Sequence, residues 1–343
     1  MKKYQIRWWL MVGLLFFGFT WRAQPALGAT WASSQSTALL IRPILLADNL
    51  GGTKLGYFNL KTKQQGQTIK VHAFNPTNQP LTVKTKLVTA GTLDNGTVDY
   101  SGQSKIDRQL LPNPGTNYLK VARQTVIPAK TGVDLSVVVQ PFHFSGVKAN
   151  ALKITTTTPQ TQNNIQNQYV YGIAIVLNGQ PLAKPKQIKL VATQVTPRLI
   201  NQQHALLQVR LANQRAAYIH RSRVQVTLQN QRWRFIHYTK TRSAVSVAPN
   251  TAFNDQLPLA GKRLVPGTYR LKVKVNGQVQ PQQIVKITAQ AARLINQQNT
   301  AYQKRRQRYL IGAVSLVVVS GLILFSVRHQ VNVKLRTTKK ERP

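Results

Sequence analysis

From Gly56 onward the chain alternates apolar and polar residues. Ile69, Val71 and Ala73 alternate with Lys70, His72 and Phe74. Leu81 and Val83 alternate with Thr82 and Lys84, and Leu135, Val137 and Val139 with Ser136, Val138 and Gln140. A period of two sends successive side chains to opposite faces, so each run predicts a half-buried β-strand. Turn chemistry separates the runs: Asn75-Pro76-Thr77-Asn78-Gln79-Pro80, Asn95-Gly96 and Pro112-Asn113-Pro114-Gly115. Asn95-Gly96 suits a tight hairpin whose central residues take positive φ. Residues 155–167 are polar and low in complexity, which predicts a linker or long loop. Gln168 to Leu177 is apolar on both faces and predicts a central strand. The pattern leaves open whether that strand closes the first β region or opens the second.

The second β region runs to about Ile287. Leu207, Val209 and Leu211 alternate, as do Val224, Val226 and Leu228. After the Pro266-Gly267 turn, Tyr269, Leu271, Val273 and Val275 share one face, and Arg270, Lys272 and Lys274 the other. One face is core and the other wet and positive. Many short strands with turns and no helix between them predict an all-β fold of two tandem antiparallel sandwiches of immunoglobulin-like type. From Ala289 the character changes to good helix formers without a wide apolar stripe. A solvated helical stalk is expected over residues 293–309.

Leu310 to Val327 is 18 residues without a charge, bracketed by Arg308 and Arg328. Its length suits a bilayer core, where backbone polar groups find partners only within a helix or closed barrel, so it predicts one transmembrane helix. At the other end Lys2, Lys3 and Arg7 precede an apolar run from Trp8 to Phe19, and Ala26-Leu27-Gly28 offers small residues for cleavage. Residues 1–28 therefore read as a secretory signal peptide. Export of the chain from residue 29 onward, stopped by the transmembrane helix, places residues 328–343 in the cytoplasm as a short basic tail and the rest outside the cell membrane. The base count on the two flanks hardly separates inside from outside, so orientation rests on the signal peptide.

Charge narrows the partners. The 47 Lys+Arg stand against 7 Asp+Glu, and the expected outer part holds 37 bases and 6 acids. A field of that sign favours anionic partners such as phosphate-rich wall polymers, headgroups or acidic proteins, and export argues against nucleic acid. The chain has no cysteine, so its fold depends on core burial rather than disulfides.

Catalytic chemistry is scarce. The single glutamate, Glu341, falls in the tail. Asp94 and Asp99 flank the Asn95-Gly96 turn and read as turn and edge residues. His72, His143, His204, His220, His237 and His329 show no metal-ligand spacing, and no cofactor motif is present. Ser145-x-x-Lys148 and Lys130-Thr131-Gly132 have the wrong order and spacing for a penicillin-binding site. Aromatic residues are the remaining candidates for recognition: Tyr57, Phe58, Tyr100 and Tyr118 in the first region, and Trp233, Phe235 and Tyr238 in the second.

The order of features resembles the WxL-interacting protein family of Gram-positive bacteria. The residues that carry the resemblance are Gly56-Tyr57-Phe58-Asn59-Leu60, Gln67 to Asn78, and Ala90 to Ser101 in the first half. In the second half they are Ala248 to Phe253, Leu264 to Tyr269, and Ala291 to Asn296. The resemblance implies a peptidoglycan-binding domain over 37–157 and a domain contacting host components or other partners over 165–292. It implies a non-enzymatic, membrane-anchored surface protein that docks WxL-domain proteins at the wall. The chain is more basic than the family pattern, and the stretch after Gly277 lacks a tryptophan often found there. The alternatives are a purely electrostatic binder of anionic wall polymers and an accessory subunit of a cell-wall enzyme.

Overall fold

The computed structural model describes residues 39–157, 168–200 and 204–340. The expected signal peptide, most of the expected linker and the last three residues lie outside them. Apart from one 3-10 turn at Gly115–Tyr118, the regular structure of the described chain is all-β up to Ile287. Its first strands are β1 (Leu40–Ile44), β2 (Phe58–Lys61), β3 (Gln67–Phe74), β4 (Leu81–Thr89), β5 (Gly91–Thr92) and β6 (Val98–Asp99). Then come β7 (Leu119–Val121), β8 (Gln124–Ile127), β9 (Gly132–Val139), β10 (Val147–Thr157) and β11 (Gln168–Asn178). The second region comprises β12 (Leu190–Ile200), β13 (His204–Asn213), β14 (Ile219–Asn230), β15 (His237–Val247), β16 (Ala252–Pro258), β17 (Gly267–Val275), β18 (Gln278–Val279) and β19 (Gln283–Ile287).

In the first region a four-stranded sheet, β1-β3-β9-β7, faces a five-stranded sheet, β2-β11-β10-β4-β8. The alternating apolar residues meet between them: Ile69, Val71, Leu135, Val137, Leu152, Ile154 and Ile175 are buried in one cluster. Strand β11 is interior as its two-sided apolar pattern predicts, and it belongs to the first sheet pair through β10. Its other neighbour, β2, runs parallel to it, with Ile175 opposite Phe58. This departs from the all-antiparallel expectation. The two strands are over a hundred residues apart in the chain, so no hairpin constrains their sense.

In the second region β12-β13-β16 faces β15-β14-β17, and β18 and β19 both pair with β17. Tyr269, Leu271, Val273 and Val275 are buried, while Arg270 and Lys274 point to solvent. Two helices follow, α1 (Ala289–Gln298) and α2 (Thr300–Lys340). The Thr288 hydroxyl caps α1 by accepting from the Ala291 N–H at 3.2 Å. Ala292 and Ile295 of α1 are buried in the second core. The solvated stalk expected over 293–309 is thus divided. Its first part is a docked helix, because the narrow Ala292–Ile295 stripe is enough to cover the end of the core. Asn299 then separates it from α2, and α2 continues past the expected end at Val327.

The β5–β6 hairpin reaches from the first region into the second. Gly96 donates to the Leu93 carbonyl at 2.8 Å and has φ of +76°. Asn95 is not among the residues at positive φ; its side chain instead accepts from the Thr97 N–H at 3.1 Å. Only the glycine meets the left-handed requirement, as in a type I turn closed by a bulge. The hairpin tip lies on β15 and β16. Ser246 N–H donates to the Gly96 carbonyl at 2.8 Å, Asn254 N–H to the Asp94 carboxylate at 2.8 Å, and Arg242 to the Asp94 carbonyl at 3.0 Å. Beside it, Arg210 pairs with Asp107 at 2.7 Å. Val147 N–H donates to the Ala216 carbonyl at 2.7 Å.

Candidate binding site

The seven aromatic candidates separate by burial. Phe58 is 0% exposed and Tyr238 3% exposed, each inside a core, so neither presents a ring to a partner. Tyr238 also donates its hydroxyl to the Arg263 carbonyl at 2.7 Å. Tyr118 is half-buried against Phe142 and Phe144, with ring centroids 6.0 and 5.8 Å away. Trp233 and Phe235 are exposed on the β14–β15 loop, their rings 6.0 Å apart, with the Arg232 guanidinium 5.2 Å from the tryptophan. The Asn230 side chain shapes that loop by accepting from the Arg232 and Trp233 N–H groups.

Tyr57 and Tyr100 line a cleft of about 720 Å³ where the two regions meet, together with Tyr218 and His220. Tyr100 and Tyr218 join hydroxyls at 2.9 Å, and His220 stacks on Tyr218 at 5.2 Å. Burial pushes both phenols above their ordinary pKa, so they stay neutral donors and acceptors. Asn59 and Asn178, bonded side chain to side chain at 2.7 Å, add amides to the wall. Tyr218 and His220 are not legible as site residues in the sequence, because only the fold brings them opposite Tyr100.

A second depression, about 1000 Å³, opens beside β4, β7 and β10. Lys84, Lys86, Lys120, Arg123 and Lys153 line it. Lys86 and Lys153 are register partners on adjacent strands. Like charges directly opposite one another cost stability in a sheet. Among the described ion pairs none offsets this one, since they engage Lys63, Lys70, His72, Arg210, Lys240 and Arg242. The groove is lined by five cationic side chains and by no carboxylate. No lysine cluster is visible in the sequence, where these residues are spread over seventy positions.

The carboxylates serve the fold. Asp48 pairs with Lys63, Asp134 with His72, Asp107 with Arg210, and Asp255 with Lys240 and Arg242. Asp99 is 3% exposed. Burial pushes its carboxyl up, but donation from the Ser101 hydroxyl and from the Ser101 and Ser104 N–H groups outweighs burial and holds it at about 2. Among the described residues no group of three or more His, Cys, Asp or Glu could hold a metal. Lys148 and Lys130 each bond a backbone carbonyl, of Asn113 and Pro76.

Thr300–Arg328 of α2 is long and apolar enough to cross a bilayer. Its side chains from Leu310 to Val327 are exposed all round. A basic groove beside the first sheet pair and an apolar helix after the second thus occur in one chain. The comparisons add a family. Residues 40–156 match the family model described as WxL Interacting Protein, peptidoglycan binding domain, and residues 160–297 the one described as WxL Interacting Protein, host binding domain. The chain belongs to the WxL-interacting protein family. The second match begins before β11, which the sheet pairing assigns to the first region.

No curated protein matches the chain. Similar solved structures include the E. coli chaperone DraB, at 12% identity over 73% of this chain and 97% of that chain, with a TM-score of 0.29. The Pseudomonas aeruginosa CupB2 chaperone has 12% identity over 64% and 92%, with 0.26. A PapD-like domain of human CEP192 has 12% identity over 43% and 87%, with 0.23. Scores this low carry no argument.

Proposed function

We propose that this chain is a non-enzymatic, membrane-anchored scaffold of the cell surface. Its first sheet pair holds peptidoglycan and WxL-domain proteins, and its second contacts host or other extracellular components. The signal peptide is removed, the sheet pairs face outward, and the end of the chain is cytoplasmic.

The observation that carries the reading is the uncompensated Lys86–Lys153 pair in a groove lined entirely by residues of the peptidoglycan-binding match. Peptidoglycan presents carboxylates along its stem peptides, and cations held by sheet backbone are positioned for them. WxL docking rests on the family match, with the edge strands β1 and β8 available for strand addition; Leu40 and Val126 are 56% and 55% exposed there. Tyr57, Tyr100, Tyr118, Trp233 and Phe235 are the proposed aromatic contacts.

The test is co-sedimentation of the outer part with purified sacculi and, separately, its binding to a WxL domain. Lys86→Gln with Lys153→Gln is expected to weaken sacculus binding and its salt dependence while leaving WxL binding in place. Retention that survives stripping of phosphate polymers supports peptidoglycan as the ligand. Retention lost on stripping supports the wall-polymer alternative. Binding to neither partner at moderate salt overturns the proposal.

A further inference from the structure

The long helix leaves the second sheet pair beside the loop between β16 and β17. Ala260 and Gly261 take left-handed φ of 48° and 72°, which turns the loop onto the helix. A Cβ on Gly261 would lie 3.6 Å from the Ala301 carbonyl oxygen. Asn296 of α1 fixes the loop from the other side, accepting from the Leu264 N–H and donating to the Leu264 carbonyl, both at 2.8 Å. The Asn299 side chain accepts from the Tyr302 N–H at 3.3 Å, and Gln303 donates to the Asn296 carbonyl at 2.8 Å. The start of α2 is therefore held to the sheets.

Between loop and helix lies a groove of about 590 Å³. Lys262, Arg263, Arg305 and Arg306 line its upper part, and Leu310 and Ala313 its lower part. From Arg306 to Ala313 the helix rises about 10 Å. The groove is thus cationic where the sheets end and apolar where the uncharged run begins. Arg305 is steadied by the Tyr309 hydroxyl at 3.1 Å and lies 5.6 Å from that ring. None of the four cations belongs to an ion pair among the described residues.

We propose that this groove binds an anionic phospholipid of the membrane that the helix crosses. The phosphate sits among Lys262, Arg263, Arg305 and Arg306, and the acyl chain runs down past Leu310 and Ala313. Charge complementarity and continuity with the apolar helix select this occupant over a soluble anion, which has no use for the lower half. The inference rests on the reading of α2 as a membrane span.

The experiment uses the full chain in vesicles of phosphatidylcholine with a minor fraction of phosphatidylglycerol. Alkaline carbonate extraction first reports insertion. Gentle solubilisation and lipid quantification then report which lipid stays with the protein. Phosphatidylglycerol is expected to be enriched at least about fivefold over the bulk, the factor that a single basic side chain's attraction to an anionic leaflet would give. Lys262→Gln with Arg305→Gln and Arg306→Gln should return it to the bulk ratio with insertion unchanged. An inserted wild-type chain without enrichment overturns the lipid site alone. Release of the lipid by millimolar inorganic phosphate overturns the lipid as the preferred occupant. A chain that carbonate extracts overturns the membrane reading and this inference with it.

Discussion

The hydroxyls of Thr92 and Thr251 lie 2.8 Å apart, although 159 positions separate the residues in sequence. The Ala248 N–H donates to the Thr92 oxygen at 3.0 Å, and the Thr251 hydroxyl donates to the Ala248 carbonyl at 2.9 Å. Thr251 has one proton and spends it there, so Thr92 must be the donor between the two hydroxyls. The result is a closed, buried ring that ties the β5–β6 hairpin to the second region.

Replacing Thr92 by valine keeps the shape and removes the oxygen. It leaves the Ala248 N–H without a partner in a buried place. The expected loss is about 1–3 kcal/mol of unfolding free energy. Urea denaturation checks it, and a transition split in two would report that the regions had come apart.

Gly146 tests the same joint from the backbone. Its φ is +83°, and an added Cβ would fall 2.3 Å from the Ala216 carbonyl oxygen. That oxygen accepts from the Val147 N–H. Gly146→Ala should cost about 1–3 kcal/mol through strain alone, and more through the displaced bond. A thermal melt indistinguishable from wild type would contradict the close approach of Gly146 to Ala216.

Asp99 sets an acid limit. Its folded pKa of about 2 lies below the ordinary aspartate value of 3.8. A depressed carboxyl contributes stability that is complete above its unfolded pKa and is lost as pH falls through the folded one. The contribution, of the order of 2 kcal/mol, should disappear between about pH 4 and pH 2. Asp99→Asn should flatten that part of the pH–stability curve measured by urea melts.

The aromatic residues give a sorting experiment. Phe58→Ala should cost about 3–5 kcal/mol, since the ring is wholly buried. Trp233→Ser and Phe235→Ser should change stability by no more than about 0.5 kcal/mol, being exposed, and should act only on partner binding. Parallel melts and binding curves separate the two groups.

The strands are legible in the sequence because their faces differ. Ile69, Val71 and Ala73, or Tyr269 to Val275, carry a period that burial enforces. Strand β1 is not, because Leu40 and Ile44 stay exposed on an edge and leave no clean alternation. The Asn75-Pro76-Thr77-Asn78 cluster reads as turn chemistry, yet Asn75 is wholly buried. Its amide lies within 3.1 Å of the Gln79, Ile127 and Pro128 carbonyls, a closure that needs the distant β8. The candidate surfaces are the least legible. Lys86 and Lys153, or Tyr100 and Tyr218, become neighbours only through pairings between distant strands. Asp94 reads as a simple turn residue, because the hairpin's landing place on Asn254 is not encoded nearby.

The hairpin also has a mechanical meaning. On the proposed function, one end of the molecule is gripped by the wall and the other by the bilayer, and tension would then run between the regions along two parallel routes. One is the covalent stretch between Asn178 and Leu190; the other is the Thr92–Thr251 latch and its neighbouring bonds. The covalent stretch is itself bonded to both regions, through Gly179 and Gln180 to Gly146 and Phe144 and through Lys184 and Gln187 to Arg215, so latch and stretch would share the load and the joint would lengthen only once both sets of bonds had yielded.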